Sequence, residues 1–151
     1  MADAVSGDTI FLRDSVTENV TITVGVNITA WSGGTLNTPT ITGTLTMTGA
    51  GTSTISGLKL TTNSAAIIAV TGSAASILNV NDCYLNMSNN SGITFSSSDA
   101  NSAINFKNCR GDLGTTGLLV FAHTASGTLL FEFVSVGHAV AYGASHCATN
   151  I

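Results

Sequence analysis

Beginning at Ile77 the chain reads ILNVNDCYLNMSNNSGITF, and from Ile104 it reads INFKNCRGDLGTTGLLVF. Both stretches carry an Asn, an apolar residue, two polar residues and a Cys. Both then pass through a polar loop to an apolar alternation ending in Phe. A pattern written again at a fixed offset constrains a fold strongly, because each repeat must adopt the same local structure and bury its apolar side against a neighbour. An offset of about 25 residues, within the range of solenoid repeats, aligns four segments. Ile55, Val80, Phe106 and Phe131 form one column, and Leu58, Cys83, Cys109 and Val134 a second. Ile68, Ile93 and Leu119 form a third, and Val70, Phe95 and Phe121 a fourth.

Within each repeat the period is two. TISGLKL, ILNVNDCYL, GITF and LLVF are short, rich in strand formers and bounded by Gly, Ser and Asn, which is the signature of strands rather than helices. Between the first two columns stand Ser56-Gly57, Asn81-Asp82 and Lys107-Asn108. Gly, Asp and Asn tolerate left-handed backbone and so suit a tight corner. Glu132-Phe133 breaks that rule in the fourth repeat. Short strands joined by tight corners at a constant offset predict an all-β fold: a right-handed parallel β-helix (β-solenoid) of about five coils, one domain over residues 1–151. A β-sandwich also has short strands and turns, but it does not predict columns of like residues.

Composition agrees with a folded chain that has an unusual surface. Only 8% of residues are charged and 44% are hydrophobic, whereas disordered chains combine high charge with low hydrophobicity. The net charge is -4, and the basic residues are Arg13, Lys59, Lys107 and Arg110. No basic cluster spans a run of phosphates, so nucleic acid is not an expected partner. No apolar run approaches the ~20 residues of a membrane span, so membrane insertion is not expected. MADAVSGDTI does not read as a signal peptide. Cys83, Cys109 and Cys147 fit no zinc spacing; they read as small buried hydrophobes, and no metal or cofactor is expected. Cys83 and Cys109, one repeat apart, are expected as stacked interior neighbours with free thiols, since disulfide geometry is demanding.

SGDTIFLRDSVTENVTITVGVNITAWSGG, residues 6–34, resembles the opening coil of right-handed parallel β-helices of the pectin-lyase-like class. Residues 54–60, 76–85 and 102–109 resemble the strand-corner-strand units of such coils. The short, Ser/Thr/Asn-rich, charge-poor version is most similar to virion proteins: part of a phage tail spike, tail fibre or capsid decoration protein. The resemblance implies a homotrimer, other virion proteins as partners, and a virion location that becomes extracellular after host lysis. It specifies fold more than function, because this architecture serves lyases, hydrolases, tailspikes and structural shafts.

An enzyme of this fold needs converging acids. A glycosidase sets two carboxyl groups roughly 5–9.5 Å apart; the resemblance adds that polygalacturonases cluster several Asp with a His, and pectate lyases hold calcium on acids beside an Arg base. The acids here are Asp3, Asp8, Asp14, Glu18, Asp82, Asp99, Asp112 and Glu132. The first four belong to the first coil, and Asp82 falls at a corner, where it is expected to cap the turn. The repeat aligns Asp112 with Asn86 and Arg110 with Tyr84. Asp82, Tyr84, Asn86, Arg110 and Asp112 therefore form the candidate glycan-contact patch, against the plainer reading of a solvated loop. RGD at 110–112 is the integrin-binding tripeptide, but three residues recur by chance. His123 is expected at a corner, and His138 and His146 lie near the end of the chain. TPTITGTLTMT, residues 38–48, alternates Thr as ice-binding solenoids do, yet one repeat later the chain reads AAIIAV, so the row stops.

These features favour a structural and adhesive virion module, non-catalytic, that contacts a host surface glycan. A carbohydrate-processing lyase or hydrolase, or a fragment of one, is the alternative, with Asp82, Arg110 and Asp112 as its candidates. A bacterial adhesin or passenger domain is a third reading, disfavoured by the N-terminal sequence. A slim solenoid with few charges hides its apolar surface incompletely, so the trimer contacts are expected around residues 115–151.

Overall fold

The computed structural model describes residues 4–31, 38–62, 66–86, 92–112, 121–123 and 128–137. These residues are all strand, turn and bend, without helix, and every strand pairing is parallel. The chain is a parallel β-solenoid. It runs repeatedly through three strand positions. The first holds β1 (Thr9–Leu12), β4 (Asn27–Ala30), β7 (Gly51–Ser56) and β10 (Ser76–Asn81), with the start of β13 (Ala103–Asp112) and of β15 (Thr128–Gly137). The second holds β2 (Val16–Thr17), β5 (Thr40–Thr42), β8 (Lys59–Thr61) and β11 (Tyr84–Asn86), with the ends of β13 and β15. The third holds β3 (Val20–Ile22), β6 (Leu45–Met47), β9 (Ala66–Val70), β12 (Gly92–Phe95) and β14 (Phe121–His123). Because β13 runs on through its corner, the first two ladders join into one ten-stranded sheet, and the third is a five-stranded sheet.

The columns have a physical cause. Strands stack about 4.8 Å apart, so each side chain meets its counterpart in the next turn. Ile28, Ile55, Val80 and Phe106 are buried and successive partners, and Phe106 continues in register to Phe131. Ile41, Leu60 and Leu85 make a second apolar stack, Leu45, Ile68 and Ile93 a third, and Met47, Val70 and Phe95 a fourth. These stacks form one core running the length of the described coils.

Corners repeat too. Gly57, Asp82 and Asn108 take left-handed φ values of 67°, 54° and 54°, a region that Gly enters freely and Asp and Asn at modest cost. The Gly57 N–H donates to the Asn81 carbonyl (3.2 Å) and the Asp82 N–H to the Lys107 carbonyl (3.0 Å), so each corner is bonded to the next. Elsewhere buried serines do this work. The Val26 N–H donates to Ser53 Oγ and the Ser76 N–H to Ser102 Oγ, both at 3.1 Å, and Ser76 Oγ donates to the Gly49 carbonyl at 2.7 Å. Buried polar groups are thus satisfied by the turn above or below.

Two columns depart from the sequence expectation. Ile93 pairs with Phe121, not Leu119, and Phe95 pairs with His123, not Phe121. His123 therefore lies within β14 and not at a corner; Leu119 falls outside the described residues. A two-residue slip leaves the same parity facing inward, so the alternation could not exclude it. In the second column Cys109 pairs with Phe133 rather than Val134, amid register shifts on both sides. This is the site of Glu132-Phe133, where the repeat lacks the Gly, Asp or Asn of its neighbours. Phe enters the left-handed region at a higher cost than those residues, and the ladder is irregular there.

Two substitutions test the stacking. Phe106→Ala removes a buried ring between Val80 and the next turn, and should lower the unfolding free energy by roughly 3–5 kcal/mol. Gly49→Ala would place a Cβ 1.7 Å from the Thr23 carbonyl oxygen, a main-chain clash, and should cost more than ~2 kcal/mol. Urea unfolding measures both, and near-wild-type stability in either would contradict the stacked geometry.

Candidate functional site

The second strand position carries an outward row in which Lys59, Tyr84 and Arg110 are successive register partners across β8, β11 and β13. Two residues along each strand lies a second row, Thr61, Asn86 and Asp112. The pairings Tyr84 with Arg110 and Asn86 with Asp112 are those the repeat predicted. Alternation along the strand puts Lys59, Thr61, Tyr84 and Asn86 on one face, because Leu60 and Leu85 between them point into the core.

Where this face meets the corner there is a groove of about 350 Å³. Tyr84 and Arg110 form its strand side, Asp82 and Asn108 its corner side, and Thr38, Gly57, Leu58 and Cys83 complete it. Asp82 and Arg110 are exposed, and Tyr84 is half-buried. The structure thus brings three of the five candidates, Asp82, Tyr84 and Arg110, into one groove. Asn86 and Asp112 continue the same strands beyond it.

The side chains hold one another. The Lys59 ammonium lies 5.5 Å from the centroid of the Tyr84 ring, the distance of a cation–π contact. Asn108 donates its amide N–H to Asp82 Oδ1, which ties one left-handed corner to the next. Asp82, expected to cap the turn, stands at the corner with a left-handed φ, and its carboxylate bonds the corner of the following turn. Sequence reasoning missed Lys59, Thr38 and Asn108. The signal for Lys59 was present, since it stands one repeat before Tyr84.

Two other acids are tied into turns of their own. Asp8 accepts from the Val5 N–H (2.9 Å) and Asp99 from the Asn101 N–H (2.8 Å), each within its own turn. Glu132 pairs in register with Lys107 on the far side of the corner. Among the described residues no group of three or more His, Cys, Asp or Glu side chains could hold a metal. Asp3, His138, His146 and Cys147 lie outside the described residues. The RGD tripeptide lies within β13 with Gly111 buried, a strand rather than a presented loop. The Thr row ends as expected, Thr21 and Thr46 being followed by Ala69.

Cys83 and Cys109 are buried free thiols on the inner side of the same corner. Cys83 Sγ donates to the Asn81 carbonyl at 3.2 Å, and Cys109 Sγ to the Val80 carbonyl at 3.2 Å. Desolvation pushes the Cys83 thiol up from about 9 to about 12, and also raises Cys109. Burial disfavours the thiolate, which is the reactive form. In a Cys147→Ser background neither thiol should react with a disulfide reagent at pH 8 until the protein is unfolded. The raised folded value means that the folded state keeps its proton where the unfolded thiol has lost it. The Cys83 contribution is therefore complete below about pH 9 and lost as pH rises toward 12. The stability difference between wild type and Cys83→Ala should shrink across that window; a difference constant with pH would contradict it.

Comparison with protein-family models, with curated proteins and with solved structures returns no match for this chain.

Proposed function

We propose that the protein is a rigid, non-catalytic structural and adhesive module that presents the Tyr84–Arg110 face to a surface glycan. The observation that carries this reading is the groove at the Gly57/Asp82/Asn108 corner, where an aromatic ring, a guanidinium and a carboxylate converge on a frame of stacked strands. Sugars are bound by this mixture: a ring offers an apolar face, and charged groups exchange hydrogen bonds with hydroxyls. The frame needs no reorganisation on binding, which limits the entropy lost. The reading extends to a virion module, part of a tail spike, tail fibre or capsid decoration protein facing host polysaccharide, and its support is the pectin-lyase-like resemblance together with a composition of only 8% charged residues.

Tyr84→Ala should weaken binding to the host surface polysaccharide about tenfold, as loss of a central aromatic contact does, with the unfolding midpoint little changed. The wild-type protein should release neither reducing ends nor unsaturated sugars from that polymer. Release that disappears in Asp112→Asn would instead establish the carbohydrate-processing alternative.

The proposed assembly is a homotrimer, the number being what the resemblance implies. Val5, Ile10, Phe11 and Trp31 support an interface: they are exposed large apolar residues gathered in the first turns, with Phe11 57% exposed and its ring 5.5 Å from that of Trp31. Apolar surface gathered in this way marks contact sites. The expected contacts at 115–151 fall mostly outside the described residues. Light scattering should give three times the 15.2 kDa chain mass; a monomer at micromolar concentration would refute the trimer.

A further inference from the structure

Cys83 and Cys109 are counterparts one turn apart. The pairs on either side of them, Asn81 with Lys107 and Tyr84 with Arg110, share one offset, so the two corners correspond residue for residue. Their thiols also repeat the same contacts. Cys83 Sγ lies 3.2 Å from the Asn81 carbonyl oxygen and 3.7 Å from that of Ile55. Cys109 Sγ lies 3.5 Å from the Lys107 carbonyl oxygen and 3.2 Å from that of Val80. Lys107 is the register partner of Asn81, and Val80 that of Ile55. Each thiol thus meets the equivalent pair of carbonyls, and the two side chains share one orientation.

Side chains of one orientation in a parallel ladder stand apart by the strand spacing, about 4.8 Å. That separation sets what the pair can do. A disulfide needs its sulfurs about 2 Å apart, less than half of it. A metal–thiolate bond is about 2.3 Å long, so two such bonds in line span about 4.6 Å. The match lies within the tolerance of metal sites, about 0.2 Å per bond. An ion midway between the sulfurs is reached by both without moving either strand.

The surroundings select the ion. Leu58, fully buried, stands one turn before Cys83 and closes that side with an apolar side chain. Structural zinc takes four ligands, and among the described residues no three His, Cys, Asp or Glu side chains come together. Calcium and magnesium want oxygen. Soft thiolates select Cu(I), a closed-shell ion that accepts two ligands in line. Burial holds both protons on the sulfurs, so only an ion with a strong preference for thiolate displaces them. Little hydrogen bonding is given up, because S–H is a weak donor. Entry is from the groove, whose wall includes Cys83. Arg110 stands in the same wall beside the single net negative charge of a copper bis-thiolate, and Asp82, on the corner side, is engaged by the Asn108 amide.

We propose that Cys83 and Cys109 form a two-coordinate site for a soft monovalent ion, Cu(I), beneath the groove. Binding breaks both S–H bonds, makes two Cu–S bonds and releases two protons to solvent. Copper keeps its oxidation state, so no oxidant or reductant takes part. The ion fastens one corner to the next, and the site is independent of what the outer face binds.

The test uses the full chain carrying Cys147→Ser, which leaves this pair as its only cysteines, with Cu(I) supplied in the absence of oxygen. The protein should carry a single ion per chain through gel filtration, at unchanged oligomeric state, and show the ultraviolet charge-transfer band of a copper thiolate. X-ray absorption should find two sulfur neighbours and no third ligand. Excess Zn(II) should not displace the copper. Cys83→Ser and Cys109→Ser should each lose the ion while keeping the unfolding midpoint close to that of the parent. Retention of copper in either variant, a third ligand, displacement by Zn(II), or a folded parent that retains no copper would each overturn the site. Should a Ser variant not fold, the stoichiometry and the two-sulfur shell of the parent decide alone.

Discussion

Parallel stacking of one turn on the next is the constraint from which the rest of this molecule follows. A lone turn has three short strands and no core. Its backbone groups find partners only above and below, as do the apolar side chains between its corners. Each position is then tied to its counterparts in neighbouring turns. Inward positions become the stacks Ile28–Ile55–Val80–Phe106 and Ile41–Leu60–Leu85. Corner positions become a column of left-handed residues. Outward positions become rows, such as Thr29 with Ser56, whose hydroxyls bond at 2.9 Å, and Asn79 with Asn105, whose amides bond at 2.9 Å. A functional surface on such a frame is built by rows, one residue per turn, rather than by a loop.

That geometry also governs what could be read from the sequence. The first column was legible because its corner demands a left-handed residue, and Gly57, Asp82 and Asn108 mark where each repeat must turn. The pairing of Tyr84 with Arg110 followed from the same marks. The third strand position carries no such mark. There the only signal is alternation, and alternation is blind to a slip of two, so Phe121 and His123 take the places expected of Leu119 and Phe121. The expected pairing of Cys109 with Val134 failed for the opposite reason, since a corner was expected where the residues that build one are missing, and Cys109 pairs with Phe133. Lys59 was overlooked as a site residue because it reads alone as a surface lysine; only its register with Tyr84 gives it a role.

The buried side of the corner and its exposed side are coupled. Cys83 and Cys109 alternate with Asp82, Tyr84 and Arg110 along the same strands, so the thiols pack directly beneath the groove. A larger inward residue at either position would push the corner outward and separate the Asp82 row from the Tyr84 row. Two thiols hydrogen-bonded to main-chain carbonyls of the turn, and held protonated by burial, fill this space without bringing in charge. Small inward residues at the corner and a fixed outward row are thus one design read from two sides.

The same logic explains where apolar surface remains. In the middle of the stack every inward residue is covered on both sides, and exposure falls close to zero at Ile55, Leu60 and Val80. Among the described residues β1, β2 and β3 are paired on one side only, and the alternation that places Ile55 and Val80 in the core leaves Ile10, in the same ladder, 40% exposed. Val20 and Leu12 are half-buried against the core for the same reason. Ile10, Val20, Ile22 and Ile28 line a groove of about 240 Å³ at this end. The apolar pattern is unchanged from turn to turn; only the neighbour differs. Exposure at this end is a consequence of the stacking rule rather than a departure from it. The apolar end and the charged corner are therefore distinct surfaces with distinct causes, the first left by the fold and the second built by the side chains placed on it.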